Sequence, residues 1–407
     1  MLLSALARRA AHGRLPAGGS SWLAVGLLSA LLTGCGGGDA PAPPRESPLS
    51  ATAALGEKIF GDASLSASGR QSCASCHDPA AAHAPANGLA VQLGGALGDR
   101  QGLRKAPSLR YLAGVPRFTL DADATPSGGL FWDGRAATLA DQAGEPLLNP
   151  REMANADKAE VVAKLARASY ADEFRRVFGD AVFDDVEGAF RRLTLALQRY
   201  QLEDTAFRGY SSRYDAFLRG EAPLSVQELR GLALFNAPGK GNCAACHPSA
   251  RGADGALPLF TDFSYDNLGV PRNAELERNA DAAYFDLGLC QRAELAARAD
   301  LCGAFRVPSL RNVAERKAFF HNGRFKSLAE TLTFYVQRDT NPEKWYASDA
   351  SGEPVSFDDL PPAYRANVNT SEAPYDRRRG DAPALSGAEI DDVIAFLKTL
   401  SDNDRQP

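Results

Sequence analysis

Apolar positions along the chain recur mostly at helical spacing. Ala51 to Phe60 places apolar side chains a turn apart and stops before Gly61, which predicts a helix with a glycine cap. Asp157 to Ser169 carries Val161, Val162 and Leu165 on one face, and Asp184 to Tyr200 carries Val186, Phe190, Leu193 and Leu197. Ser225 and Glu228 have capping-box spacing ahead of Leu229, Leu232, Leu234 and Phe235. Ser386 and Glu389 stand the same way ahead of Ile390, Val393, Ile394, Phe396 and Leu397. A helix over Ser327 to Gln337 would group Leu328, Leu332 and Tyr335. The best strand signal, Leu257 to Ser264, contains Pro258 and can be an edge at most. Asp78 to Pro126 is rich in Gly and Pro and reads as loops, and Asn341 to Asp381 reads as a polar, insertion-like loop with no assigned role. The chain is expected to be mainly α, with long loops and little strand.

The first residues read as a targeting segment. Arg8, Arg9 and Arg14 precede an apolar run from Trp22 to Leu32 that is too short to predict a bilayer span. Leu32-Thr33-Gly34-Cys35 resembles the bacterial lipobox, the alternative being an ordinary secretory cleavage site. Residues 1–34 are thus expected to be a lipoprotein signal peptide, Cys35 the lipidated residue, and 35–50 a flexible tether. The expected location is the periplasm, with a lipid anchor as the sole membrane attachment; by resemblance to such lipoproteins, the residue after Cys35 not being Asp favours the outer membrane. Losing three Arg with the leader moves the net charge from −5 to −8, which does not suggest a nucleic-acid partner.

Within this helical frame two segments carry chemistry. Cys73-Ala74-Ser75-Cys76-His77 and Cys243-Ala244-Ala245-Cys246-His247 both read CxxCH, in a chain with seven Cys and five His. Two thiols at this spacing form thioethers with haem vinyl groups, and the adjacent His reaches the iron. A zinc ribbon or a redox CxxC is the alternative, but a ribbon needs its pairs close together in sequence. Each motif follows a predicted helix, so two cytochrome c-like haem domains are expected, at 51–220 and 221–407. With Cys35 and these four assigned, Cys290 and Cys302 remain; a disulfide is expected, against two unrelated buried thiols.

A third block is Phe131-Trp132-Asp133-Gly134-Arg135, followed by Gln142, Pro146 and Glu152-Met153. Peroxide cleavage at a haem needs a group that takes a proton from one oxygen and returns it to the other, which a pocket carboxylate such as Glu152 can do. Gln142 can orient the peroxide. Taken singly, Trp132 could be a core aromatic and Glu152 a surface acid. Together with Val307-Pro308-Ser309-Leu310-Arg311-Asn312-Val313 and Phe319-Phe320-His321-Asn322-Gly323, these motifs resemble the bacterial di-haem cytochrome c peroxidase and MauG superfamily over roughly residues 50 to 400. The resemblance implies that the N-terminal haem is the peroxide site and the C-terminal haem the electron-transfer site. It implies that Trp132 carries electrons between them, and that Gln142 and Glu152 are the distal pair.

Three departures from the family pattern matter. Where the peroxidases place a Met ligand to the second haem, this chain has Tyr335, as MauG has a Tyr; Met1 and Met153 are the only methionines. A phenolate is a harder donor than a thioether and favours oxidised iron. Ordinary helix packing is the alternative for Tyr335. No His occupies Leu89 to Leu97, where many peroxidases carry a distal ligand, so an open first haem is expected. His83 is read as a loop or propionate contact and His321 as structural. Finally, the family's inter-haem calcium uses an Asn where this chain has Lys105, with backbone carbonyls that map to Arg316 and Ala318. An ammonium is no calcium ligand, so the ion is expected to be replaced or its site abolished.

The leading functional expectation is a di-haem peroxidase that reduces hydrogen peroxide, with electrons from a small cytochrome c or cupredoxin. The alternatives are MauG-like oxidation of a partner protein or small substrate, and a non-catalytic di-haem electron carrier. The family makes a homodimer possible.

Overall fold

The computed structural model describes residues 48–402. The basic and apolar leader, Cys35 and most of the tether lie outside the described residues. Ser50 caps the first helix, α1 (Ala51–Gly61), by accepting the Ala53 N–H. Gly61 is not the cap. It is the last helical residue, and Asp62 closes the helix in an extended conformation while its carboxylate starts the next turn on Ser64 N–H.

Then follow α2 (Cys73–Cys76), α3 (Leu139–Leu148), α4 (Lys158–Leu165), α5 (Ala171–Phe178) and α6 (Val186–Glu203). Helices α1, α3 and α4 pack on α6. They bury Leu55, Ile59, Phe60, Val161, Leu193 and Leu197 in one core. The second set is α7 (Arg213–Leu218), α8 (Val226–Asn236), α9 (Leu328–Gln337) and α10 (Gly387–Lys398). Here α8 and α9 pack on α10, burying Phe235, Phe334, Val393 and Phe396 in a second core. Both expected capping boxes form, at Ser225/Glu228 and Ser386/Glu389.

The two principal crossings are alike. A Cβ on Gly56 would fall 2.0 Å from the Ala196 carbonyl oxygen of α6, and one on Gly231 would fall 2.0 Å from that of Asp392 in α10. Only a missing side chain lets these helices approach so closely, and each close pair fixes the helix that leads into a CxxCH segment.

Among the described residues, strand is confined to two-residue antiparallel pairs: Leu93–Gly94 with Arg100–Gln101, Thr119–Leu120 with Pro126–Ser127, and Tyr265–Asp266 with Phe305–Arg306. The edge strand expected from Leu257 does not form; only Ser264, at its end, makes a single bridge, to Ser127. Cys290 and Cys302 are bonded, with an S–S distance of 2.12 Å, inside a small cluster with Leu289, Leu295 and Leu301. The 341–381 segment is not a loose insertion, since it buries Trp345, Tyr346, Leu360 and Tyr375. Among the described residues no helix is long and apolar enough to cross a membrane.

Candidate active site

The first CxxCH closes as the single turn α2, with Ser72 and Ser75 capping each other. Cys73, Cys76 and His77 open on a cavity of about 530 Å³. His77 Nδ1 donates to the carbonyl of His83 at 3.4 Å, which leaves Nε2 as the free lone pair. Burial holds this ring down at about 4, so it is a neutral imidazole.

Helix α3 puts Gln142 on its buried face and into the same cavity. The turn after it brings Glu152 there. Glu152 N–H donates to the Asn149 carbonyl at 2.9 Å, and Asn149 Nδ2 donates to Glu152 Oε1 at 2.9 Å. Burial raises the Glu152 carboxyl to about 7, against an opposing pull from the Arg135 guanidinium. His77 is the one His on this cavity wall among the described residues. His83 lines neither cavity; its ring is buried against Phe207 at 4.0 Å and Phe60 at 6.0 Å. The propionate contact considered for it therefore gives way to a core position that positions His77 through a backbone carbonyl.

The second CxxCH closes as a 3-10 turn, Cys243–Ala245. His247 Nδ1 donates to the Phe260 carbonyl at 2.8 Å, repeating the tether of His77. The cavity here is about 260 Å³ and holds Cys243, Cys246, His247, Tyr335 and His321. Tyr335 projects from α9 and stacks on Phe320 at 5.5 Å; burial raises its phenol well above the ordinary value. Tyr375, from the 341–381 segment, lies 6.0 Å from the Tyr335 ring and also lines the cavity. His321 stacks on Phe305 at 3.6 Å and is held neutral by burial.

One wall serves both cavities. Trp132, Lys105, Asp286 and Arg306 line each of them. Trp132 Nε1 donates to the Lys105 carbonyl at 2.8 Å, and Arg306 N–H donates to the Trp132 carbonyl at 2.8 Å. Arg104 braces this wall through Asp133 and Asp286, each at 2.6 Å.

These residues fit haem. The four CxxCH thiols are not joined to one another, and burial pushes them up to between about 11 and about 12, keeping them protonated. Among the described residues no three His, Cys, Asp or Glu side chains gather as a metal site, which argues against a zinc ribbon. Two tethered imidazoles, each beside two thiols and an apolar cavity, are the donor set that a thioether-linked haem needs.

The structure thus brings Cys73, Cys76, His77, Trp132, Gln142 and Glu152 to one cavity, and Cys243, Cys246, His247, Trp132 and Tyr335 to the other. Sequence reasoning did not find Asn149, Tyr375 or Arg306. Asn149 lay within the recognised block, three residues before Glu152, and Tyr375 was an isolated aromatic in a polar loop; Arg306 gave no local signal.

Comparison with known proteins bears on the same assignment. The family model described as di-haem cytochrome c peroxidase matches residues 50–223. The methylamine utilization protein MauG of Paracoccus denitrificans is 36% identical, over 88% of this chain and 90% of its own. The cytochrome c551 peroxidase of Nitrosomonas europaea is 29% identical, over 75% and 78%. The crystal structure of the diheme peroxidase BthA from Burkholderia thailandensis superposes with a TM-score of 0.80 at 43% identity, covering 88% of this chain and 87% of that one. The fold and the relatives together define an oxidoreductase of the haem peroxidase type. Within that class, the chain belongs to the di-haem cytochrome c peroxidase and MauG family.

Proposed function

We propose that the chain is a MauG-like di-haem peroxidase that reduces hydrogen peroxide at the first cavity and keeps oxidising equivalents at the second. The observation that carries this reading is the pairing of Glu152 and Gln142 in a cavity whose lining holds no His besides His77. When bound, the haems would supply the redox chemistry: peroxide reduction at one site and storage of oxidising equivalents at the other. His77 and His247 would be the proximal ligands, with Cys73, Cys76, Cys243 and Cys246 the attachment points. Glu152 would take a proton from one peroxide oxygen and return it to the other as the O–O bond breaks. At about 7 its carboxyl is poised to do both. Gln142 orients the peroxide by hydrogen bonding. Trp132 spans the wall between the cavities. Tyr335 is the proposed sixth ligand of the second site.

Electrons return from a small cytochrome c or a cupredoxin. Oxidation of a partner protein is the second reading; it is favoured by a Tyr in place of Met at the second site and by the likeness to MauG. A plain electron carrier would leave a buried carboxyl of raised pKa without a task. Covalent haem and a disulfide both suit an oxidising compartment, which supports the proposed periplasmic location.

The test is stopped-flow mixing of the resting, fully oxidised protein with hydrogen peroxide. A fast change in the Soret band without prior reduction is expected. A reaction only after one electron has been added would mean a closed first site and would overturn the open-site reading. Tyr335→Met is expected to raise the second haem's potential, because a thioether favours reduced iron more than a phenolate does. A potential equal to wild type would remove Tyr335 from the coordination sphere.

A further inference from the structure

The shared wall and the adjoining second cavity hold positive charge that forms no ion pair among the described residues. Lys105 is only 7% exposed, and its ammonium makes one hydrogen bond, 3.3 Å to the Ala106 carbonyl. Arg316 lines the second cavity with its Nη1 buried and without a hydrogen-bond partner. Arg306 lines both cavities and gives its Nε only to the Phe131 carbonyl, at 3.2 Å. The nearby acids are already engaged: Asp133 and Asp286 hold Arg104, Asp359 holds Arg272, and Glu315, the acid that acts on Arg316, accepts from Ser401 Oγ at 3.0 Å. Burial, with repulsion from Arg316 and Lys326, pushes Lys105 down to about 7, and burial, with repulsion from Arg110, pushes Arg316 down to about 10. Buried cations with open donors are stable only when an anion meets them.

We infer that Lys105, Arg316 and Arg306 form a metal-free carboxylate-binding site between the two cavities, which holds the carboxylates of the bound haems. This rests on the di-haem reading above. Arg offers a planar fork and Lys a compact point donor, and both suit carboxylate oxygens. The same charges repel a divalent cation, so the wall fills electrostatically from the chain itself. Positive charge beside a haem favours its reduced form, so these side chains raise the potentials.

The test is spectroelectrochemical titration of the holoprotein, with elemental analysis for calcium. Lys105→Met is expected to lower the potentials of both haems, and Lys105→Arg to keep them. Arg316→Met is expected to lower mainly the second. Wild type is expected to carry no stoichiometric calcium and to show potentials indifferent to a chelator. The inference is overturned by wild-type potentials in a folded Lys105→Met protein, or by bound calcium whose removal shifts them. Potentials that move with added phosphate or acetate at constant ionic strength would assign the site to a diffusible anion and overturn it as well. Failure to find two attached haems, by mass and pyridine haemochrome spectrum, would instead sink the di-haem reading itself. Peroxide turnover enters none of these readouts.

Discussion

Glu152→Gln lowers peroxide turnover by about 10²–10⁴-fold, with both haems still attached. The amide keeps the shape of the side chain and can still accept the Asn149 Nδ2 hydrogen bond, so the loss isolates proton transfer from positioning. The pH profile supplies an independent check. Burial raises the carboxyl to about 7, so it is protonated below neutrality and cannot accept the peroxide proton. Wild-type turnover therefore rises as pH climbs through about 7, and the variant loses that limb. Stability follows the opposite course. A carboxyl whose folded pKa is raised stabilises the fold below its unfolded value, and that contribution is lost as pH rises through about 7. The variant should hold its stability above neutrality better than wild type. Steady-state rates and urea unfolding across neutral pH measure both effects, and an unchanged acidic limb in the variant would remove Glu152 from the role of base.

Arg311→Met destabilises the chain by about 3–5 kcal/mol, a large share of the ~5–15 kcal/mol usual for a folded protein. Arg311 gives two hydrogen bonds to Asp215, at 2.9 and 2.8 Å, and a third to the Pro258 carbonyl at 2.9 Å. Both side chains of the pair are essentially buried, at 1% and 0% exposure, so removing the cation strands a carboxylate without water. The guanidinium also lies 4.6 Å from the rings of Tyr111 and Tyr210, so its loss removes packing as well. Burial alone would raise Asp215, but Arg311 and Ser212 outweigh it and hold the carboxyl below its ordinary value. That contribution is present above the unfolded carboxylate value and is lost as pH falls through the depressed folded one. Acid should therefore weaken wild type more than the double variant Asp215→Asn/Arg311→Met. Urea unfolding decides the matter, and a loss below about 1 kcal/mol would place the pair among weak surface bridges.

What could be read in the sequence was what short-range physics controls. Ser225/Glu228 and Ser386/Glu389 act on backbone within one turn, and each pair sits at the start of the helix it predicted; the helix expected over Asp157 to Ser169 from its apolar spacing forms but ends at Leu165. Helix α6 was legible because its apolar face is long. Helix α3 was not, because Pro146 inside it reads as a breaker, although the helix carries Gln142. The strand expected at Leu257 was lost because Pro258 cannot donate, and its carbonyl is taken instead by Arg311. The CxxCH segments announced their own chemistry. The cavity walls did not, since Lys105, Trp132 and Arg306 meet only through contacts between residues far apart in the chain. Tyr375 is the extreme case: a polar, Pro-containing stretch gave no sign that its aromatic residue would sit beside Tyr335.

The separation of the two cores has a consequence for how the protein is made. The first core draws its large buried residues from between Leu55 and Phe207, and the second from between Tyr214 and Leu400. A chain emerging from its N-terminus can therefore close the α1–α6 crossing before Cys243 has been made. The first CxxCH segment is then held on a settled scaffold before the second appears. That order keeps the two CxxCH segments, which differ only in Ser75 against Ala245, from being exposed unfolded at the same moment.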